Sequence, residues 1–585
     1  MTRCAPIRRC VFVRPVFTLS VVVAWFTVIG CSGPIFRPQS PEASLDAVIE
    51  PHTHLVSEYT HPFGLDYTKL EAVSLVTGLA GTGGDPPPTP QRAVLLAEMN
   101  RRDVRDPNEV LASADTAMVL VRGYLRPGIQ EGDHFDVEVR SPSHSDIASL
   151  RGGWLLPTRL TELAVLGQQI RQGHVMAMVE GPVLVDPSAD AKDQPALLTR
   201  GRILGRGVAL KSRSLGLILN QEHRSIRLSE DIAKCIDLRF HSYVNGRKEG
   251  MATPKTDEFI SLAVHPRYKD NVGRYMRVVR NIAVDEAPAE LQARIVLLEH
   301  QLADPLTAAN AAIRLEAIGS EQAIEVLKGG LASNDPEVRF YVAEALAYLD
   351  QTDAVKTLAE VARHEPAFRV NALAALSAMD DVMAYDALCS LLGVRSAETR
   401  YGAFRALWAM NEHDPLVRGE ELGGQFTFHV LDVGGPAMVH VTHSYRPEVV
   451  LFGKDQQFQL PLVLDAGKNI LVNGLKGEQI TISRFAPGAE PEQRVVSTCV
   501  EDVIRAIVEL GGTYPDVVQA LEQAKHDGAL TSRFAVDALP DIDRAYDRGM
   551  PHDYGTDDAD DGSDDAQDQP LEVSTPRPDL FTQHR

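Results

Sequence analysis

The chain has 585 residues, of which 44% are hydrophobic and 24% are charged, and its formal net charge is -22. At roughly 150 residues per domain this length predicts about three or four units, and the ordinary composition excludes disorder over most of the chain. The negative charge argues against a nucleic-acid partner, because neutralising phosphates requires clustered Lys and Arg.

Residues 1–30 are predicted to be an export signal. Arg3, Arg8 and Arg9 form a positive start, and the apolar run at 16–30 is shorter than the roughly 20 residues that span a membrane. The run ends in Val-Ile-Gly-Cys31, which resembles a bacterial lipobox, and Ser32 resembles the residue that follows the Cys in outer-membrane-directed lipoproteins. We therefore predict a diacylated Cys31; an ordinary signal peptide and a twin-arginine leader are the alternatives.

Residues 31–67 are rich in Pro, Ser, Glu and His without a sustained period, which predicts a linker. His52 and His54 form a His-x-His pair of the kind that binds metal in some hydrolases. Such a pair needs a strand and distant ligands, so a solvated linker is favoured over a metal site.

Residues 68–290 are predicted to form a mixed α/β framework. Gly78, Gly81 and Gly83 superficially resemble a phosphate loop, but no Gly-Lys-Ser/Thr follows, and the prolines at 86–88 remove backbone donors. The favoured interpretation is a turn between a strand and a helix at 91–100. Residues 117–124 and 134–139 alternate as strands do.

An amphipathic helix is predicted at residues 229–240, with Ser229 as its N-cap. One face carries Ile232, Cys235, Ile236 and Phe240. This makes Cys235 a small buried hydrophobe rather than a nucleophile. Cys235, Cys389 and Cys499 are odd in number and far apart in sequence, so they imply no disulfide framework.

Residues 296–413 contain a repeat of 30 to 31 residues. Pro305, Pro336 and Pro366 each follow an acidic residue, which predicts an acidic N-cap and Pro at the first helical position. The leucines ten places after the start of each unit are Leu315, Leu346, Leu376 and Leu407. Small residues at Ala311, Val342, Ala372 and Ala403 would let neighbouring hairpins approach closely. We predict about three and a half HEAT-type repeats with an extended protein-binding surface.

Arg339, Arg369 and Arg400 share one register of this repeat. They could form a basic ladder on the binding surface, but solvated arginines at helix starts are the favoured interpretation.

Residues 418–490 return to period two and predict an antiparallel β-rich segment. His429, His440 and His443 suggest a metal site, but alternation places the first two on the polar faces of strands, so zinc is disfavoured.

Two helices are predicted within residues 497–540. Gly511 and Gly528 end them, and Pro515 starts the second helix. Residues 541–585 are predicted to be a disordered acidic tail, with eight Asp between Asp553 and Asp568. Residues 557–562 only approximate the register of a calcium loop.

A family resemblance rests on motifs that occur in one order. They are the glycine-rich segment 75–83, the segment 151–158 with Arg151, Gly152, Gly153, Leu156 and Pro157, and the strand-like segment 181–185. Together they resemble the flagellar basal-body P-ring protein family. The likeness continues through residues 217–220, 229–240 and 262–272, and residues 498–530 are similar to the C-terminal end of that family.

The resemblance implies a multidomain α+β protein, in which a P-ring-like framework is split by a HEAT-like solenoid inserted at a surface loop. A β-rich segment and the acidic tail complete it, and the two flanks of the insertion would reunite in space. It implies a homo-oligomeric ring around the flagellar rod in the periplasm, with other basal-body or envelope proteins as partners. Membrane attachment through Cys31 is predicted separately from the lipobox-like residues and departs from the family pattern. The resemblance implies no catalytic, cofactor or metal site. The alternatives are an envelope-anchored HEAT scaffold without a flagellar role and, third, a metal-dependent enzyme.

Overall fold

The computed structural model describes residues 53–548, apart from 167–168, 188, 190–193, 245, 476, 486–487, 489, 542–543 and 547. The predicted leader, Cys31, His52 and the Asp-rich residues 557–562 lie outside the described residues. Every described residue belongs to one compact unit, Pro38–Arg585.

The first described residues are folded, so the predicted linker is wrong from residue 53 onward. They form β1 (His54–Leu55), α1 (Val56–Tyr59) and β2 (Thr60–Phe63). Val56 is fully buried in the largest core of the protein. Both strands pair with strands that follow more than 150 residues later. Such non-local pairing leaves no local period in the sequence, so composition alone predicts a linker here.

Residues 68–209 close into a six-stranded antiparallel barrel. Its strands are β3 (Thr68–Thr77), β4 (Thr116–Leu125), β5 (His134–Arg140), β6 (Trp154–Leu166), β7 (Gln169–Pro182) and β8 (Arg200–Ala209). Their order around the barrel is β3-β4-β5-β8-β7-β6. Val119, Val137 and Leu160 belong to its core. The connections carry α2 (Pro90–Arg101), α3 (Pro107–Ala112) and α4 (Pro195–Leu198).

Residues 215–285 form a smaller α/β layer. Its elements are β9 (Leu215–Leu219), α5 (Ile226–Arg239), β10 (His241–Val244), β11 (Arg247–Gly250), β12 (Ala252–Pro254), β13 (Phe259–Leu262), α6 (Val272–Arg280) and β14 (Ala283–Asp285). One sheet has the order β12-β13-β9-β2, and β1 pairs with β14. The N-terminal strands are therefore part of this layer.

Helix α5 begins earlier than predicted, and Ser229 is not its N-cap. The cap residue is Ser225, and Ser229 lies buried inside the helix, where its hydroxyl donates to the Thr256 carbonyl at 3.1 Å. Ser229 thus bonds to a neighbouring loop and not to its own helix start. Cys235 is half-buried, and its thiol donates to the Val284 carbonyl at 3.0 Å. Burial raises the pKa of the Cys235 thiol.

Residues 288–410 are helical repeats. The helices are α7 (Pro288–Leu302), α8 (Ala308–Ile318), α9 (Glu321–Gly330), α10 (Pro336–Tyr348), α11 (Val355–His364), α12 (Arg369–Ser377), α13 (Val382–Leu391) and α14 (Ala397–Met410). From α8 onward they make three hairpins and one single helix. The four period-defining leucines are at most 1% exposed. Small buried residues, among them Ala311 and Ala372, lie at the predicted contacts.

Only one of the three prolines starts an α-helix as predicted. Pro336 follows the N-cap Asp335, whose carboxylate accepts the N–H groups of Glu337 and Val338. Pro305 precedes α8 by a turn, because Thr307 is the residue before that helix. Pro366 starts a 3₁₀ turn that leads into α12. An acidic residue followed by Pro marks a chain reversal in each case, but not always the first helical residue.

The C-terminal region contains two sheets and two helices. The strands are β15 (Glu420–Leu422), β16 (Phe426–Leu431), β17 (Met438–Val441), β18 (Glu448–Phe452), β19 (Leu462–Ala466), β20 (Ile470–Gly474), β21 (Gln479–Arg484), β22 (Glu492–Ser497) and β23 (Arg533–Val536). The helices are α15 (Val500–Glu509) and α16 (Tyr514–His526). Strands β19 to β22 form an antiparallel sheet, whereas the other sheet has the order β15-β16-β18-β17-β23.

The expectation of a wholly antiparallel β-rich segment is wrong for this five-stranded sheet. Strand β16 is parallel to β18, and β17 is parallel to β23. Strand β23 reaches the sheet only after both helices, and a helical crossover permits parallel pairing. Period two specifies a strand but not the direction of its partner.

Both faces of the five-stranded sheet are covered. Val450 and Phe452 pack into one core with the helical repeats, whereas Val449 and Leu451 pack with α15 and α16. The single helix α14 therefore completes its packing against a sheet instead of a partner helix. The array is not a loop insertion attached at one point, because a continuous core runs from α6 through the repeats to this sheet.

Candidate interaction sites

Hydrogen bonds from backbone amides fix the glycine-rich loop between β3 and α2. Gly78 and Gly81 have φ of +81° and +87°, a region that favours glycine. The Gly81 N–H donates to the Asp115 carboxylate at 3.1 Å, and the Gly83 N–H donates to the Ala114 carbonyl at 2.7 Å. A Cβ on Gly83 would lie 2.1 Å from the Thr116 carbonyl oxygen. These amides already have partners within the protein, so the loop is built as a turn.

Arg151 forms hydrogen bonds with the segment that follows β7. Its Nη2 donates to three backbone carbonyls, those of Asp186, Pro187 and Ala189, at 2.9, 3.2 and 3.1 Å. Gly153 permits close packing at the same barrel end, where a Cβ would lie 2.4 Å from Val76 Cγ1. Gly152 has φ of +73° and lies beside Lys468 of the C-terminal region. Leu156 and Pro157 lie exposed on the outside. This motif therefore joins parts of the framework.

Glycines end both C-terminal helices. Gly511 and Gly528 follow α15 and α16 with φ of +86° and +75°, and Pro515 lies in the first turn of α16. The hydroxyl of Tyr514 donates to the Thr442 carbonyl at 2.7 Å, which fixes the start of α16 on the five-stranded sheet.

Asp136 joins the barrel to the C-terminal region. Its carboxylate accepts the Gly205 N–H at 2.8 Å and the N–H of Tyr445, a residue beyond β17. Burial raises the pKa of Asp136 to about 6, although both hydrogen bonds oppose this shift. Leu184 and Leu204 of the barrel region pack in the same core as α15 and α16. The two parts that flank the helical array are therefore in direct contact.

A buried ionic cluster joins α6 to the helical array. Arg274 donates to Glu316 on α8 and to Glu344 on α10, each at 2.5 Å. The hydroxyl of Tyr268 donates to Glu316 at 2.6 Å. Burial disfavours the charged guanidinium, but the two carboxylates outweigh this effect and raise the pKa of Arg274. Burial also raises the pKa of Glu344.

A second cluster joins α14 to the five-stranded sheet. Glu448 is 1% exposed and accepts hydrogen bonds from the Tyr401 hydroxyl and, at 3.3 Å, from Arg405. Arg446 Nε lies 3.7 Å from the same carboxylate. Burial acts to raise the pKa of Glu448, but the two arginines outweigh it and hold the pKa below its usual value. The array is thus fixed at both ends by buried charges.

The placement of His429 and His440 on polar faces is wrong, because both are buried under the array. His429 Nδ1 lies 2.9 Å from the Val417 carbonyl, and His440 Nε2 accepts the Ala538 N–H at 3.1 Å. His443 Nε2 instead lies 3.1 Å from Glu522, and exposed His54 contacts Glu58. Within the described residues, no group of three or more His, Cys, Asp or Glu side chains could hold a metal ion.

The arginines that share one register of the repeat form neither a basic ladder on a binding surface nor a set of solvated side chains. Arg339, Arg369 and Arg400 donate to carbonyls at or just beyond the end of the preceding helix. The acceptors are Ser333, Ala362 and Leu392, at 2.8, 3.0 and 2.8 Å. Arg369 and Arg400 are only 2% and 1% exposed. The last carbonyls of a helix lack intrahelical donors, and these arginines supply them and tie one hairpin to the next.

The predicted disordered tail is wrong at its start, because residues 544–546 and 548 lie on the array. Arg544 donates to Glu398 at 2.5 Å, and Arg548 donates to Glu337 at 2.5 Å. Between them the ring of Tyr546 lies 4.7 Å from that of Phe368. Acidic composition predicted disorder here, but two arginines and a tyrosine supply specific contacts.

Sequence reasoning missed the groups that join the modules. They are Asp136, Arg274, Glu316, Tyr401, Arg405, Glu448, Arg544, Tyr546 and Arg548. A signal existed for two acidic residues within the array. Glu316 and Glu344 each lie between apolar residues of an Ala- and Leu-rich helix. A charge in such a position is buried and must be paired.

These contacts define a class of protein, a barrel-containing framework joined by buried charges to a helical solenoid. Both parts are similar to known families. The family described as Flagellar P-ring protein matches residues 58–302, and HEAT repeats match residues 291–377 and 330–408. The resemblance to the P-ring family and the HEAT-like array are confirmed. The match ends at residue 302, so the similarity of residues 498–530 stays a prediction.

Curated relatives agree with the family match. The chain is 26% identical over 255 residues to a flagellar P-ring protein of Bradyrhizobium sp. (strain BTAi1), covering 42% of this chain and 64% of the relative. It is 27% identical over 243 residues to that of Thermotoga maritima, covering 40% and 66%. The chain thus matches slightly under two thirds of the length of these relatives. Within the described part of the chain, each helix is too short or too polar to cross a membrane.

Proposed function

We propose that this chain is a structural subunit of a P-ring-like assembly in the bacterial periplasm. Copies of the chain close into a ring around the flagellar rod, and the HEAT repeats contact other basal-body or envelope proteins. Ring closure uses heterologous contacts between neighbours, so the subunit has to present two different, rigid surfaces. A structural role assigns no catalytic residue and no cofactor.

One observation carries the proposal. Residues 58–302, the part that matches Flagellar P-ring protein, include the whole barrel and residues 215–285 of the smaller α/β layer. The C-terminal region packs directly onto that barrel through Asp136 and Leu204. This contact supports a single framework whose halves come from both sides of the HEAT array.

The same contacts support a division into domains. We propose a framework formed by residues 53–285 together with 416–540, and a HEAT array from 288 to 410 that spans between its two parts. We also propose the leader at 1–30 and a lipid on Cys31, which would hold the subunit at the outer membrane. The lipobox-like residues 28–31 support this anchor.

Deletion of the gene tests the flagellar role. We expect cryo-electron tomography of the deletion strain to show basal bodies that lack one periplasmic ring, and motility to fall. Re-expression of the chain restores both. Intact basal bodies and full motility in the deletion strain would contradict the proposal.

A second candidate is an envelope-anchored HEAT scaffold without a flagellar role. The contacts of Arg544 with Glu398 and of Arg548 with Glu337 support it, because they place two residues from outside the array on the array. Under this alternative the deletion strain keeps its basal-body rings, and the purified chain stays monomeric.

A further inference from the structure

The first turns of α10 and α14 and the 3₁₀ turn that leads into α12 lie one repeat apart along the array, and Arg544, Tyr546 and Arg548 contact them. Three side chains of these turns define one surface: Glu337, Phe368 and Glu398. We name it the repeat groove. With the segment in place, Glu337 and Phe368 are 2% exposed.

The segment seated in the groove uses alternate residues. Arg544 bonds to Glu398 at 2.5 and 3.0 Å through two nitrogens, a forked contact that matches a carboxylate. Arg548 bonds to Glu337 at 2.5 Å and to the Pro305 carbonyl at 3.3 Å. Tyr546 packs on Phe368, which itself stacks on Phe340 at 4.3 Å. The groove thus recognises two arginines four residues apart with an aromatic residue midway.

The acidic residues of the groove are held in place by the array itself. Glu398 also accepts a bond from buried Arg369 at 2.7 Å, and Glu337 accepts one from Tyr341 at 3.0 Å. The two carboxylates therefore keep their positions when the segment leaves. A small cavity of about 20 Å³, roughly the space of one water molecule, lies alongside and is lined by Tyr341, Phe340 and Phe368 with Arg277 and Glu344.

We propose that the repeat groove is a binding site for a peptide of the pattern Arg-x-aromatic-x-Arg, and that Arg544, Tyr546 and Arg548 occupy it as an internal ligand. A partner protein presenting this pattern displaces the internal segment. The inference deepens the proposed contact role of the HEAT repeats and does not depend on ring closure.

Charge complementarity selects this partner chemistry. The chain carries a formal net charge of -22, yet the segment places two arginines on the two carboxylates of the groove. An acidic peptide would bring like charges to Glu337 and Glu398, which is unfavourable in a partly desolvated site. The partner is therefore a basic, aromatic-containing segment of a protein.

Peptide binding to the full chain tests the proposal. The probe is a fluorescein-labelled peptide with the sequence of residues 540–550, and the readout is fluorescence anisotropy. One sample is the wild-type chain. The other carries Arg544→Ala, Tyr546→Ala and Arg548→Ala, which empties the groove without altering the array. A tethered segment competes at an effective concentration on the order of 1 mM. For a peptide Kd on the order of 100 μM, we expect about tenfold tighter binding to the emptied chain.

Two controls sharpen the test. A scrambled peptide should bind neither chain. Adding Glu398→Gln to the emptied chain should weaken peptide binding several-fold while the circular dichroism spectrum stays unchanged. Equal affinity for the wild-type and emptied chains, or equal binding of the scrambled peptide, would overturn the proposal. Particle size is recorded on the same samples, so a failure of ring formation is distinguished from a failure of peptide binding.

Discussion

Glu316→Ala should separate the helical array from α6. The wild-type carboxylate accepts bonds from Arg274 at 2.5, 3.1 and 3.3 Å and from Tyr268 at 2.6 Å. Removing one partner of a buried pair costs about 3–5 kcal/mol, and Glu344 still partners Arg274, so we take about 3 kcal/mol. The unsatisfied Tyr268 hydroxyl adds about 1 kcal/mol. The expected local loss is about 4 kcal/mol.

Hydrogen–deuterium exchange measures this loss where it occurs. An opening that is easier by about 4 kcal/mol corresponds to roughly thousandfold faster exchange of amides in α6 and α8. Glu325→Ala is the matched control, because Glu325 lies on the neighbouring helix α9 with its side chain 73% exposed. The combined variant Arg274→Met, Glu316→Gln, Glu344→Gln should regain most of the protection, since it leaves no charge unpaired. Exchange within tenfold of wild type in Glu316→Ala would refute the reasoning.

Three further predictions concern pH, packing and the anchor. Burial lowers the pKa of His440 from 6.5 to about 3; the unfolded chain therefore binds more protons at pH 5, and the free energy of unfolding falls as pH drops from 7 to 5. Denaturation is measured at the two pH values. Between pH 7 and pH 5 the free energy of unfolding of His440→Gln should fall by about 2 kcal/mol less than that of the wild type. An equal fall in both chains would contradict the burial of His440. Gly153→Ala should cost about 1–3 kcal/mol by overpacking against Val76, whereas Gly329→Ala, with open space around it, should be neutral or stabilising in thermal unfolding. Cys31→Ser should abolish metabolic labelling with an alkyne fatty acid and release the chain from the membrane fraction; retained label would exclude Cys31 as the anchor.

Local patterns predicted the helical repeats well. Leucines at a fixed period must face a shared core, because a hairpin cannot bury its apolar face alone. For that reason Leu315, Leu346, Leu376 and Leu407 are buried as expected. Glycines after a helix likewise marked the ends of α15 and α16, because positive φ is a local requirement.

Non-local pairing was beyond the sequence argument. Alternation of apolar and polar residues predicted the strands. Closure of β3 to β8 into a barrel depends on which strands pair, and alternation does not specify the pairing. For the same reason the sequence pattern does not reveal the strands within residues 53–63, because β1 pairs with β14 and β2 pairs with β9 of a separate sheet.

Burial of polar groups was the other source of error. His440 alternates with valines as a solvent-facing residue would, yet α14 covers that face, and Tyr401 stacks on the ring at 3.8 Å. Arg339, Arg369 and Arg400 donate to carbonyls near helix ends, and the sequence predicts surface charges instead because it does not show which of these carbonyls need donors. The charges that join the modules could have been found by asking which acids lie in otherwise apolar helices, as Glu316 does.

The most direct test of the central claim is the oligomeric state of the mature chain. The sample is extracted in mild detergent and examined by mass photometry and negative-stain electron microscopy. Closed rings of uniform diameter, with a mass that is a fixed multiple of the subunit mass, are the predicted result. A chain that stays monomeric at every concentration would contradict a ring-forming function.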